Sequence, residues 1–144
     1  MDVLWVGEAP ITLDSVTAGL EDERYGGVAV FLGRVRSPNA GQDVHYLEYE
    51  GYDEMILAVM VEIAGQLRAE FGELRVGMRH RLGRLEPGEV SLALAVAAPH
   101  RQAALSACAA GVEAAKVRLP VWKLEVGALA SGYVAGTSEA ADVL

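Results

Sequence analysis

From Asp53 to Phe71, the apolar residues Met55, Ile56, Val59, Met60, Ile63, Leu67 and Phe71 recur at three- and four-residue spacings. That is the period of an amphipathic helix, and an apolar stripe of this length needs a facing layer. Strands supply the candidates. Residues 28–36 are dominated by β-branched and aromatic side chains, and alternation along that strand puts Arg34 and Arg36 on one face. Residues 44–50 and 74–85 read as further strands, and Pro87-Gly88 turns the second into 90–97, so that the two resemble a hairpin. Within 90–97, large Val90, Leu92, Leu94 and Val96 alternate with small Ser91, Ala93, Ala95 and Ala97, a face that accepts a close-packed helix. Such a helix follows at 102–116, rich in Ala. Its Gly111 costs about 1 kcal/mol relative to Ala, which close packing can offset.

Shorter elements complete the chain: a strand at 3–6, a short helix at 12–20 with Thr12 or Asp14 as N-cap, and a last strand at 121–126 after Pro120. Residues 37–41, Ser-Pro-Asn-Ala-Gly, are turn formers and read as an exposed, mobile loop. Helices and strands alternate without a uniform βαβ rhythm, which with the hairpin favours an α+β sandwich over a doubly wound sheet. No repeat or linker divides the chain, so residues 1–144 form one domain, with 127–144 as a candidate mobile tail.

Charge and composition exclude several function classes. Twenty acidic residues against twelve basic give a net charge of −8, which opposes attraction to nucleic acid. No apolar run approaches the roughly 20 residues a membrane-spanning helix needs, and residues 1–5 lack the basic start of a targeting peptide, so a soluble, cytoplasmic protein is expected. The single Cys108 permits neither an internal disulfide nor a zinc site built from several thiolates, and its place on an Ala-rich helix marks it as a core residue. His45 and His80 lie on strands and read as structural, without metal-site spacing. Phosphate loops and the HExxH and GxSxG patterns are absent, so no cofactor and no metal are expected.

In an acidic chain, places where cations gather are informative. Arg34 and Arg36 end one strand; His100-Arg101 opens a helix after Pro99, where unpaired N–H groups and the helix dipole favour an anion; Lys116 closes that helix and Lys123 lies just past Pro120. Two ammonium groups near each other depress at least one pKa and raise the fraction of nucleophilic amine. With a phosphate or carboxylate between them, they would instead stay charged and clamp it.

Taken in order, the motifs resemble those of the molybdopterin synthase large-subunit family. They are Gly-Arg-Val-Arg at 33–36, Leu-Glu-Tyr-Glu-Gly-Tyr at 47–52, His-Arg-Leu-Gly at 80–83, Pro87-Gly88, His100-Arg101, and Lys-x-x-x-Pro-x-Trp-Lys-x-Glu at 116–125. The resemblance covers roughly residues 29–134 and implies an α+β hammerhead-type sandwich with a mixed or antiparallel sheet. It implies a homodimer at the centre of a heterotetramer, with a small ubiquitin-like sulfur carrier at each outer end whose C-terminal Gly-Gly thiocarboxylate enters the large subunit. The implied reaction is sulfur transfer from that thiocarboxylate to cyclic pyranopterin monophosphate, which builds the dithiolene of molybdopterin. Carried over by position, Lys116 is the essential amine and Lys123 activates the thiocarboxylate or the leaving group. Arg36, His100 and Arg101 hold the phosphate and pterin, Arg34 stands beside them, and Glu125 orients a lysine or relays a proton. The chain departs from the family in its tail, which has Tyr133 and no Lys or Arg after Lys123.

Two other readings stay open on the residues alone. One is a non-catalytic module that docks a ubiquitin-like partner, against which the Lys116 and Lys123 pair argues. The other is an unrelated acyl-transfer or phosphate-binding enzyme using the same cations.

Overall fold

A computed structural model describes residues 1–127 and the strand 131–135. The tail proposed as mobile lies otherwise outside the described residues, as does any reach of it toward a neighbouring subunit. The elements run β1 (Val3–Gly7), α1 (Leu13–Thr17), β2 (Gly27–Arg34), β3 (Val44–Gly51), α2 (Asp53–Phe71), β4 (Arg75–Arg81), β5 (Gly83–Leu85), β6 (Val90–Ala98), α3 (Arg101–Arg118), β7 (Val121–Gly127) and β8 (Ser131–Ala135). They form two four-stranded sheets, ordered β1-β4-β6-β2 and β5-β3-β7-β8. The first is mixed, since β1 runs parallel to β4 while the other pairs are antiparallel; the second is antiparallel throughout. This is the α+β sandwich expected. Among the described residues no helix is long and apolar enough to cross a membrane.

The amphipathic helix forms over the expected residues, with Ile56, Met60, Ile63 and Leu67 buried, although Met55 stays exposed. Thr12 caps α1 through a reciprocal capping box with Ser15, its side chain accepting from the Ser15 amide at 3.1 Å while the Thr12 amide donates to Ser15 Oγ at 2.9 Å.

Two expectations change. The stretch 74–85 is not one strand: β4 pairs with β6 in the first sheet, whereas β5 joins β3 in the second, so the hairpin is β4 with β6 and β5 is an excursion between them. The break falls at Gly83, whose φ of +86° is a left-handed conformation that residues with a Cβ seldom adopt. The second change concerns β6. Its small face, Ala93, Ala95 and Ala97, receives α1 through Ile11, Val16 and Leu20 rather than the following helix. That helix, α3, lies on the large face with Leu92, Leu94 and Val96, and brings its own small residues Ala104, Ala107 and Ala115 to the contact. Bulk on the sheet meets small residues on α3, and bulk on α1 meets small residues on the sheet. Gly111 fits this arrangement, because a Cβ there would stand 2.9 Å from Leu94 Cδ1.

The far edge of the sandwich is tied by charge. Arg68 on α2 grips Asp2 with contacts of 2.6 and 2.8 Å, and Asp2 also accepts from the Val76 amide at 3.0 Å. Burial pushes the Asp2 carboxyl up, but the Arg68 and Val76 hydrogen bonds and the Arg68 charge outweigh it and hold the group below the usual carboxylate range.

Two outcomes are expected. Gly77→Val puts a side chain against the Val16 carbonyl and forces α1 off the sheet; it should lower unfolding stability by about 1–3 kcal/mol in urea titrations. Asp2 has a lowered folded pKa, so its stabilisation is fully present above the unfolded value of about 3.9 and fades as pH falls through the folded one. Asp2→Asn should therefore be less stable than the parent at pH 7, with the two converging as pH falls below the lowered folded pKa of Asp2.

Candidate active site

β7 carries Val121, Lys123 and Glu125 on one face and Trp122 on the other. Trp122 is 58% exposed, whereas Lys123 is only 1% exposed, which places the Lys123 side chain in the layer between the sheets. Its partner across the ladder is Tyr49 of β3, and Glu125 lies opposite Leu47. Charged side chains are seldom buried this completely, because desolvating an ammonium is costly. Lys123 is therefore the strongest single sign of a built site.

Lys116 lies in the last turn of α3. Arg118, two residues on, faces α2 and pairs with Glu62 at 2.9 Å and Gln66 at 2.7 Å. That anchor fixes the helix end and leaves Lys116 on the side of β2, where its Nζ stands 6.0 Å from the centre of the Phe31 ring. The Phe31 ring in turn lies alongside Gly33. The helix runs to Arg118 rather than stopping at Lys116, and Leu119-Pro120 then passes the chain into β7.

Gly33 marks a register shift between β2 and β6: Gly33 pairs with Leu92 but Arg34 with Val90, so Ser91 is an extra residue on β6. The Ser91 hydroxyl donates to the Gly33 carbonyl at 3.4 Å. The regular strand ends here, two residues short of the expected Arg36, because the chain next bonds to the Pro87-Gly88 turn. The Val35 amide donates to Glu89 O at 2.9 Å, and the Gly88 amide to Val35 O at 2.6 Å. Alternation survives the irregularity, and Arg34 and Arg36 are exposed on either side of buried Val35. Arg36 also donates to Asn39 Oδ1 at 3.4 Å. Asn39 is buried and exchanges backbone hydrogen bonds of 2.8 and 3.0 Å with Gln42, so the loop expected to be mobile closes on itself.

His100 and Arg101 stand apart from these groups. His100 is the N-cap of α3 and makes no side-chain cap, so the first-turn amides face an open cleft lined by His100, Arg101, Gln102 and Leu105. Fifteen residues of helix separate Arg101 from Lys116, roughly 22 Å along the axis. The start of β2 confirms the polarity, since Gly26 donates to Pro99 O at 3.2 Å at the His100 end, while Phe31 and Gly33 lie toward the Lys116 end. One chain thus places Lys123 and Glu125 on one face of β7, sets Lys116 beside Phe31 of β2, and puts His100-Arg101 at the other end of α3.

Sequence reasoning missed Tyr49 and Phe31. Tyr49 alternates with outward Glu48 and Glu50, a pattern that marks it as inward, but the register that sets it opposite Lys123 is a long-range pairing. His80 is buried on β4, as a structural histidine would be, with Nδ1 2.7 Å from Arg81 O. Burial also raises the Cys108 thiol to about 11, consistent with an unreactive core residue.

A family model described as MoaE protein matches residues 6–118. Molybdopterin synthase catalytic subunit 1 of Mycobacterium tuberculosis is 33% identical over 127 residues, covering 88% of this chain and 86% of that protein. The crystal structure of molybdopterin synthase from Staphylococcus aureus superposes with a TM-score of 0.85 at 29% identity, covering 90% of this chain and 94% of that one. A complex of subunits 1 and 2 of molybdopterin-converting factor from Helicobacter pylori contains a chain of the same fold, with a TM-score of 0.71 at 18% identity over 91% of this chain and 89% of that one. A family match across most of the chain, joined to a relative one-third identical over nearly its whole length, establishes that this chain belongs to the MoaE protein family.

Proposed function

We propose that this chain is the catalytic subunit of a cytoplasmic molybdopterin synthase, moving sulfur from the thiocarboxylated C-terminus of a small ubiquitin-like carrier onto cyclic pyranopterin monophosphate. The observation that carries the reading is the burial of Lys123 within the core of an otherwise acidic protein, with Lys116 arriving from the adjacent helix end. A lysine held away from water loses the hydration that favours its charge, and an anionic substrate or thiocarboxylate in such a dry setting interacts with it more strongly than in water.

In this reading Lys116, partly exposed over Phe31, is the amine that meets the reacting centre, and Lys123 polarises the thiocarboxylate or stabilises the leaving group. Glu125 stands two residues along the same face of β7, where it can orient Lys123 or take a proton from it. Arg36, held to the 37–42 loop through Asn39, and Arg34 beside it supply positive charge to the substrate's anionic end. No cofactor enters the scheme.

The separation along α3 refines the roles of His100 and Arg101. On one chain they lie about 22 Å from Lys116, so a small substrate touching all three groups is best served by two chains. The protein then works as a homodimer in which His100 and Arg101 of one protomer hold the phosphate near Lys116 of its partner, with one carrier at each outer end of the resulting heterotetramer.

Wild-type protein, given thiocarboxylated carrier and cyclic pyranopterin monophosphate, should form molybdopterin, and Lys116→Ala should lose roughly 100-fold or more in turnover, about 2.7 kcal/mol of transition-state stabilisation. Near-normal turnover in that variant would remove Lys116 from its role, and no product from folded, carrier-bound wild type would favour a docking module. Mixing Lys116→Ala chains with chains carrying both His100→Ala and Arg101→Ala tests the shared site. Mixed dimers should recover activity through one intact site, whereas a site contained in a single chain would give none.

A further inference from the structure

Two charged residues have no part in the scheme above: Arg81, the last residue of β4, and Glu89, which ends the turn before β6. The Arg81 side chain is only 11% exposed, and its Nε is buried without a hydrogen-bond partner among the described residues. Nη1 of the same guanidinium lies 3.4 Å from Glu89 Oε2. A cation held so far out of water needs a partner, and the Glu89 carboxylate is its ion-pair partner among the described residues.

Glu89 uses that carboxylate twice. The same Oε2 accepts from the Glu86 amide at 2.8 Å, while the Glu89 amide donates to the Glu86 carbonyl at 3.1 Å. The turn Glu86-Pro87-Gly88-Glu89 is thus closed by a backbone bond and a side-chain bond, and Arg81 pins the carboxylate from β4. The closed turn then receives Val35. Val35 donates its amide to the Glu89 carbonyl at 2.9 Å and accepts from the Gly88 amide at 2.6 Å, so both of its main-chain groups end on the turn. Pairing of β2 with β6 stops at Arg34, and from there the turn takes over from the strand ladder. Val35 is buried, and its neighbours on either side are the exposed Arg34 and Arg36. The place of this arginine segment is therefore set by the turn.

We propose that Arg81 and Glu89 are positioning residues for Arg34 and Arg36: the carboxylate held by Arg81 keeps the 86–89 turn closed, and the turn seats Val35 so that the two arginines are presented in a fixed place. This deepens the sulfur-transfer reading, in which those arginines meet the anionic end of the substrate, and rests on it for its catalytic consequence. Arg81 and Glu89 act through the backbone of Val35. Cationic groups that are already in place bind an anion with less ordering cost than groups on a loose segment.

The test uses the whole chain with Glu89→Ala, and with Glu89→Gln as a milder change that keeps an oxygen for the Glu86 amide but no charge for Arg81. With thiocarboxylated carrier, KM for cyclic pyranopterin monophosphate should rise about 5-fold or more in Glu89→Ala and less in Glu89→Gln, while kcat stays within about 2-fold. In chains that already carry Arg34→Ala and Arg36→Ala, adding Glu89→Ala should change KM by less than about 2-fold, because residues that act as a unit are non-additive. No rise in the wild-type background, or an equal rise in both, overturns the proposal. Without substrate, hydrogen exchange at the Val35 and Gly88 amides should quicken about 10-fold or more in Glu89→Ala, with the Ile63 and Val96 amides unchanged. Unchanged exchange at Val35 and Gly88, or a change shared by Ile63 and Val96, overturns it too. If wild type forms no molybdopterin, the sulfur-transfer reading fails on that result, and the exchange measurement still decides whether Glu89 holds the arginine segment in place.

Discussion

The close seat of α3 on β6 governs the rest of the molecule. Ala104, Ala107, Gly111 and Ala115 let the helix approach Leu92, Leu94 and Val96 until backbone and side chain are almost in contact. Dispersion between such closely fitted surfaces is collectively large, and it makes α3 a rigid strut rather than a helix free to slide. Both ends of that strut carry candidate site residues. At one end His100 and Arg101 sit over unsatisfied amides, and at the other Arg118 clamps α2 while Lys116 turns toward β2. Because Pro120 follows at once, the position of α3 also sets where β7 starts, and hence which side chain of β7 falls into the core.

That choice falls on Lys123. Taking a lysine out of water costs solvation free energy, and Tyr49, buried and opposite it across the ladder, adds another polar group to the same layer. Stability alone would favour apolar side chains at both positions. Proteins keep such arrangements where chemistry needs a charge or a proton in a dry, fixed setting, since electrostatic interactions strengthen as water is excluded. The bulge at Ser91 and the left-handed Gly83 belong to the same pattern, being local departures from regular structure beside the groups expected to react.

The polarity of α3 separates the candidate cations, with His100 and Arg101 at its start and Lys116 at its end. A negative protein that concentrates positive groups in this way can favour a small anion locally without attracting polyanions in general. In the homodimer proposed above, a second copy would bring the other end of the site within reach.

Much of this was legible in the residues. The three-and-four spacing in α2, the Ala-rich run of α3, the Thr12 cap and the turn residues gave the elements, because those signals act over one or two turns of chain. The cation clusters were equally visible, since an acidic composition makes basic groups stand out. Local pattern could not say which face of β6 each helix would take, since that depends on matching volumes between segments far apart in sequence. Nor could it show that β5 would leave for the second sheet, or that Tyr49 would lie opposite Lys123, because a one-residue change of register would have exposed both. The sequence by itself determined the secondary structure and the kinds of groups available for chemistry. Only the tertiary structure decided which of them are buried together and which stand at opposite ends of a helix, because strand register and helix docking are settled by long-range packing.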